Sequence, residues 1–214
     1  MENNKLFQKI FTWLGIGLFL SFLTGFIVST NEVLIRTVFS KHYMIFIIAE
    51  IVIAFVLSLF VRKLSKEVTT ILYILYCIVT GFTLSSIFII YELSSIIYVF
   101  IATSFIFIAL SVYGYKTKRD ISKFGTILLF GLIGILIFTF INIVIIKSNG
   151  LDVLLTIGSM LLFIGYIAYD IHILKRRLYN LDEDKLAVYG AFQLYLDFIN
   201  LFLDLLKLFG KSKD

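Results

Sequence analysis

The sequence predicts an all-α integral membrane protein, a bundle of seven transmembrane helices. Three observations predict it. Hydrophobic residues fill 60% of the 214 positions and charged residues only 15%, too little polar surface to coat a soluble domain of this size. The apolar residues gather into seven runs close to the roughly 20 residues that one helical crossing requires. No run alternates polar and apolar residues as the strands of a barrel do, and such strands are only about 10 residues long. Residues 1–214 are therefore expected to form a single transmembrane domain, because seven spans leave no length for another.

The first span, 10–30, carries no charge. It is longer than the apolar core of a secretory signal and no small-x-small cleavage site follows it, so it is expected to remain as a helix. The second, 43–61, holds one acid, Glu50. The third and fourth, 68–91 and 93–115, are free of charge and meet in a tight helical hairpin at Glu92–Ser95. The fifth, 124–146, is also uncharged. The sixth, 153–174, contains Asp170, and the seventh, 186–209, contains Asp197 and Asp204. The chain has no proline, so no span is kinked by one, and glycine alone is available to interrupt a helix. Gly131, Gly134, Gly158 and Gly165 are expected to let helices approach closely, and Trp13 and Tyr43 to anchor the interfaces.

The net charge of +5 does not point to nucleic acid, because the basic residues sit in short connections between apolar runs. With the N-terminus inside, the cytoplasmic face receives Lys5, Lys9, Arg62, Lys63, Lys66, Lys116, Lys118, Arg119, Lys123, Lys175, Arg176, Arg177 and Lys185. The outer face receives Arg36, Lys41, Lys147, Lys207, Lys211 and Lys213. Thirteen against six sets the expected orientation in a multi-pass cell-membrane protein: N-terminus cytoplasmic, C-terminus extracytoplasmic. The lysines of the tail would also suit a re-entrant last helix. Cys77 is the only cysteine and lies in an apolar run, so neither an internal disulfide nor a thiolate metal site is expected.

Glu50, Asp170, Asp197 and Asp204 are all acids within spans, and a charge at a helix centre costs about 2.5–3.5 kcal/mol on insertion scales. Such groups are retained where they serve an ion path, a proton relay or a ligand, and a set of one sign favours a cation or protons. The sixth span descends to the inner face shortly after Asp170. The seventh rises from that face and reaches Asp197 roughly 16 Å in. Antiparallel neighbours would bring these two carboxyls together, where they are expected to share a proton or to hold a hard cation such as Ca²⁺. Gln193, Asp197, Asn200 and Asp204 recur at spacings of four, three and four, a single polar stripe suited to lining a pathway. The bland alternative is hydrogen bonding between helices. Arg62, at the inner end of the second span, either reaches toward Asp170 as a removable counter-ion or is an ordinary positive-inside arginine. Glu50 lies nearer the outer face as an entrance acid or a surface-dipping one. His42 and His172 are expected to be solvated near the two interfaces.

At these residues the sequence resembles the Bax inhibitor-1 family of transmembrane proteins, in its bacterial branch. The match runs through LYLDFINLF at 194–202 and LLKLFG at 205–210, and upstream through IGYIAYDIHILKRR at 164–177. TGFTL at 80–84 and YGYKTKRDIS at 113–122 are similar too. The resemblance implies a seven-helix fold with the last helix enclosed by the other six. It implies a Ca²⁺ leak regulated by pH, with Asp170 and Asp197 at the positions of the sensing pair. It makes Arg62, beside Lys63, the candidate latch of the closed state.

These readings describe a non-enzymatic protein without a cofactor, whose partners are the lipid bilayer, Ca²⁺ and protons, with no nucleic acid and no protein partner indicated. Two rivals remain: a proton-coupled secondary transporter using the same carboxylates, and a non-conducting modulator of other membrane proteins. An intramembrane aspartyl protease of the presenilin type is disfavoured, because its second aspartate follows Gly-x-Gly and its proline-containing loop cannot exist here.

Overall fold

Long apolar runs without proline, opened by serine or asparagine and closed by polar connections, dictate helices almost throughout. A computed structural model describes residues 2–39, 43–176 and 181–213. It contains α1 (Glu2–Thr30), a short α2 (Glu32–Thr37), α3 (Tyr43–Phe60), α4 (Lys66–Ile90), α5 (Leu93–Lys116), α6 (Gly125–Ile141), α7 (Asn149–Lys175) and α8 (Glu183–Phe209). All except α2 are long and apolar enough to cross a membrane, which makes seven spans. Lys41, His42, Arg177 and Asn180 lie outside the described residues.

Side-chain caps open three of the helices. Asn31 Oδ1 accepts from Val33 N at 3.0 Å and Leu34 N at 3.1 Å, opening α2. Ser65 and Ser148 each accept from a backbone N–H three residues on, at 3.3 Å, and open α4 and α7. α6 continues through a π turn over Asn142–Ile146 and ends at Lys147, whose φ of 54° is left-handed. Asn142 closes that end by exchanging two hydrogen bonds with the Ser148 backbone. Only Tyr91 and Glu92 separate α4 from α5, a short connection at the leading edge of the expected Glu92–Ser95 turn.

The described residues divide into two compact units. The first comprises Met1–Leu93, Tyr179–Tyr195 and Ser212–Asp214; the second comprises Ser94–Leu178 and Leu196–Lys211. α8 contributes residues to both.

In the first unit α4 is the spine. α1 lies on it so closely that a Cβ at Gly81 would overlap Thr24, and one at Gly17 would overlap the Tyr73 ring. α3 packs on the same helix through Phe46 and Phe82, stacked at 4.5 Å. The first half of α8 buries Phe192, Leu194 and Tyr195, with Tyr195 edge-on to Tyr73 and Tyr76. Lys9 reaches Glu183 at 3.0 Å and Asp184 at 2.7 Å, and Lys66 reaches Asp184 at 2.7 Å. Lys185, itself buried, donates to the Leu64 carbonyl at 2.7 Å. Beyond the end of α8, Ser212 bridges Tyr91 and Lys213 N donates to the Ile90 carbonyl at 2.8 Å. α8 therefore starts beside the start of α4, and the segment that follows α8 lies beside the end of α4.

In the second unit α7 packs against α5 and α6. The α5–α7 contact is backbone to backbone, because a Cβ at Gly114 would overlap the Ala168 carbonyl. Along α6–α7, Cβ atoms at Gly131, Gly158 and Gly165 would come within 2.8–3.0 Å of Leu162, Ile135 and Leu128. Gly134 has nothing within 4 Å and does not serve the close packing expected of it. The second half of α8 sets Phe198 against Phe100 and Phe107 at 5.3 and 5.5 Å. Of the seven spans α8 is the most enclosed, with 78% of its apolar window buried against at most 50% elsewhere.

Candidate functional site

The second unit holds the carboxyl pair expected from the sequence. Asp170 lies near the C-terminal end of α7 and Asp197 near the middle of α8. They are 5% and 4% exposed, so solvent reaches neither. Their side chains meet at hydrogen-bonding range. Two carboxyl groups in that contact require a proton between them, because two acceptors alone would repel. The pair then carries one negative charge instead of two. Asp197 Oδ2 has no hydrogen-bond partner, and no Lys, Arg or His among the described residues forms an ion pair with either acid. Tyr166, one turn before Asp170, lies close enough to feel both charges.

Further along the same helices, Asp204 takes a hydrogen bond from Ser159 while its Oδ2 stays buried without a partner. Lys207 pairs with Asp152 at 2.6 Å. Asn200 turns its amide back onto the Leu196 carbonyl at 2.7 Å, so that donor serves its own helix. Of the polar stripe, Asp197, Asn200 and Asp204 belong to the second unit and Gln193 to the first.

In the last turn of α7 the structure corrects one expectation. His172 is not solvated: it is 4% exposed and neither ring nitrogen is hydrogen-bonded. The apolar environment of the last turns of α7 covers it, with Ile171, Ile173 and Leu174 equally buried. Its Nε2 lies 3.7 Å from Asp120 Oδ1, which is itself held at 2.8 Å by Arg176 and bonded by Ser122. The Ser122 and Arg176 contacts hold the Asp120 carboxyl well below the usual carboxylate range.

Arg62 belongs to the first unit. It is exposed in the turn after α3 and forms no ion pair among the described residues, whereas neighbouring Lys63 lies over the Phe60 ring at 5.8 Å. Glu50 is half-buried on α3 and accepts a hydrogen bond from Thr83 at 2.9 Å. The hydroxyls around it went unassigned in the sequence. The signal for them is a pair of threonines three residues apart, Thr80 and Thr83, which share a helix face. Among the described residues, no three His, Cys, Asp or Glu side chains converge on a metal position. Two aspartates supply at most four oxygens, fewer than the six to eight that Ca²⁺ takes. The pair therefore fits a passing or water-completed Ca²⁺ better than a resident one.

A family model described as "Inhibitor of apoptosis-promoting Bax1" matches residues 3–214. The inner membrane protein YbhL of Escherichia coli (strain K12) is 38% identical over 213 residues, covering 96% of this chain and 91% of that protein. An uncharacterized protein of Borreliella burgdorferi is 36% identical over 219 residues, covering 99% and 94%. An uncharacterized membrane protein of Streptococcus pyogenes serotype M1 is 33% identical over 217 residues, covering 98% and 93%.

Proposed function

This chain belongs to the Bax inhibitor family of membrane proteins, and from that premise we propose that it is a passive calcium-leak channel of the cell membrane, gated by protons at Asp170 and Asp197. The observation that carries this reading is the buried, mutually hydrogen-bonded carboxyl pair with no basic partner. Deprotonated, the pair presents two negative charges to a hard divalent cation; sharing a proton, it presents one. Asp204, Asn200 and Gln193 continue the polar face of α8 along the route. Arg62 is the latch, its hold weakening as the negative charge of the pair is lost, so leak rises as pH falls.

Ca²⁺ is cargo on this reading, protons are the regulator, and the protein catalyses no covalent reaction and needs no cofactor. Inward movement requires no energy source, because a divalent ion crossing 100 mV gains roughly 4.6 kcal/mol. The N-terminus is cytoplasmic and the C-terminus extracytoplasmic. A reporter fused after Asp214 and one in the 116–123 loop should fall on opposite sides, and finding both on one side would overturn that orientation.

Purified protein in liposomes containing a Ca²⁺ dye tests the function. Ca²⁺ should enter without nucleotide, faster at pH 6 than at pH 8. Arg62→Ala should raise the leak at pH 8 and matter little at pH 6. A flux that depends strictly on ATP or on a proton gradient refutes the channel.

A further inference from the structure

The first unit contains a half-buried acid within a span, and its surroundings differ from those of the aspartate pair. Glu50 Oε1 accepts from the Thr83 hydroxyl at 2.9 Å. Thr80, one turn earlier on α4 and 4% exposed, lies within reach of the Glu50 carboxyl and of the Tyr76 and Tyr195 hydroxyls. Its own hydroxyl nevertheless completes no hydrogen bond with any of them. The Tyr195 phenol is engaged at 2.5 Å with Ser21, which donates to the Cys77 carbonyl at 2.7 Å. Among the described residues no Lys, Arg or His pairs with Glu50, and the groups that face it are hydroxyls.

A lone carboxyl inside a membrane span is stable only if a proton neutralises it or one positive charge balances it. Here the protein supplies no such charge. It does supply neutral oxygens around the carboxylate, and hard oxygen donors suit alkali and alkaline-earth cations. Charge decides between these. A divalent ion beside one carboxylate would leave a net positive charge in a low-dielectric setting, whereas a monovalent ion leaves none. Thr80 distinguishes a site from a merely protonated acid: a hydroxyl at that depth without a partner is costly unless a ligand takes it. We propose that Glu50, Tyr76, Thr80 and Thr83 form a binding site for one small monovalent cation of the sodium class. The site lies wholly within the first unit and does not depend on the calcium reading.

The test is the thermal midpoint of the full-length protein in nanodiscs, with NaCl replaced by choline chloride at constant ionic strength and pH. Sodium at ten times its Kd should raise the midpoint by about 3–5 °C. Glu50→Gln should abolish that rise, Thr80→Val should weaken sodium affinity several-fold, and Asp170→Asn should leave both unchanged. Equal midpoints in sodium and choline overturn the proposal, as does an undiminished sodium rise in Glu50→Gln. So does a midpoint that follows pH and ignores sodium, with Glu50→Gln removing the pH effect, because the occupant is then a proton. If Glu50→Gln does not fold, a folded Thr80→Val with parental sodium affinity overturns it equally.

Discussion

The two units each bury acid in a membrane, and they balance it differently. In the second, Asp170 and Asp197 face each other, so each is the other's main problem and a shared proton is the first remedy. In the first, Glu50 has only hydroxyls for company. A pair can change its charge by one and remain charged, which suits a switch. A single acid among neutral oxygens is either balanced or not, which suits a binding site. The number of carboxylates, more than their depth, separates the two behaviours.

Packing gives the largest effect by which this contrast can be broken. Gly81 closes α1 on α4 in the first unit and Gly114 closes α5 on α7 in the second, each against atoms that have little room to move. Gly81→Ala and Gly114→Ala should each cost about 1–3 kcal/mol, read as a lower thermal midpoint. Gly134→Ala, with open space around it, should instead be neutral or stabilise by up to about 1 kcal/mol. If the units are functionally separate, folded Gly81→Ala should disturb the sodium response and Gly114→Ala the calcium flux.

The carboxylates come next. Asp170→Asn and Asp197→Asn should each flatten the dependence of Ca²⁺ flux on pH between about 6 and 8, a change of about tenfold or 1.4 kcal/mol at one end of the range. Glu50→Gln should keep that dependence. Parental flux and profile in both aspartate variants would make the pair structural.

A smaller effect sharpens the assignment of the pH response. Asp120 is held well below the usual carboxylate range by Ser122 and Arg176. Its stabilising contribution is therefore complete above the unfolded-state value and is lost only as pH falls through the lower folded value. Asp120→Asn should lower the midpoint slightly and equally at pH 6 and pH 8, the gap closing only in strong acid. A pH-dependent gap between 6 and 8 would move part of the response to this loop. Smallest of all is Lys9→Ala: the Lys9–Glu183–Asp184–Lys66 cluster is exposed, so its slight loss of stability should disappear in high salt.

The seven spans were legible because each needs only an apolar run, and the bilayer imposes that requirement residue by residue. Asp170 and Asp197 were legible for the converse reason, since a charge in such a run is costly enough to imply a partner. The membership of the family, read from 164–177 and 194–202, holds over residues 3–214. Other features depend on facing elements and leave little trace in one chain. Gly134 and Gly131 look alike in sequence, yet only Gly131 meets a neighbour, Leu162. His172 lies near basic residues that suggest water, but its ring points into the protein. Thr80 and Thr83 were visible as a motif and mute as chemistry until Glu50, thirty residues upstream, was placed beside them.

α8 supplies core residues to both units and follows the other six spans in sequence. On the ribosome, six spans must therefore wait in the bilayer, each bundle lacking the helix that fills it. The helix awaited is also the least apolar of the seven, and Asp197 and Asp204 burden its entry. Its insertion must be drawn by the grooves prepared for it, and a stop codon before Glu183 would leave two open bundles for the membrane proteases to find.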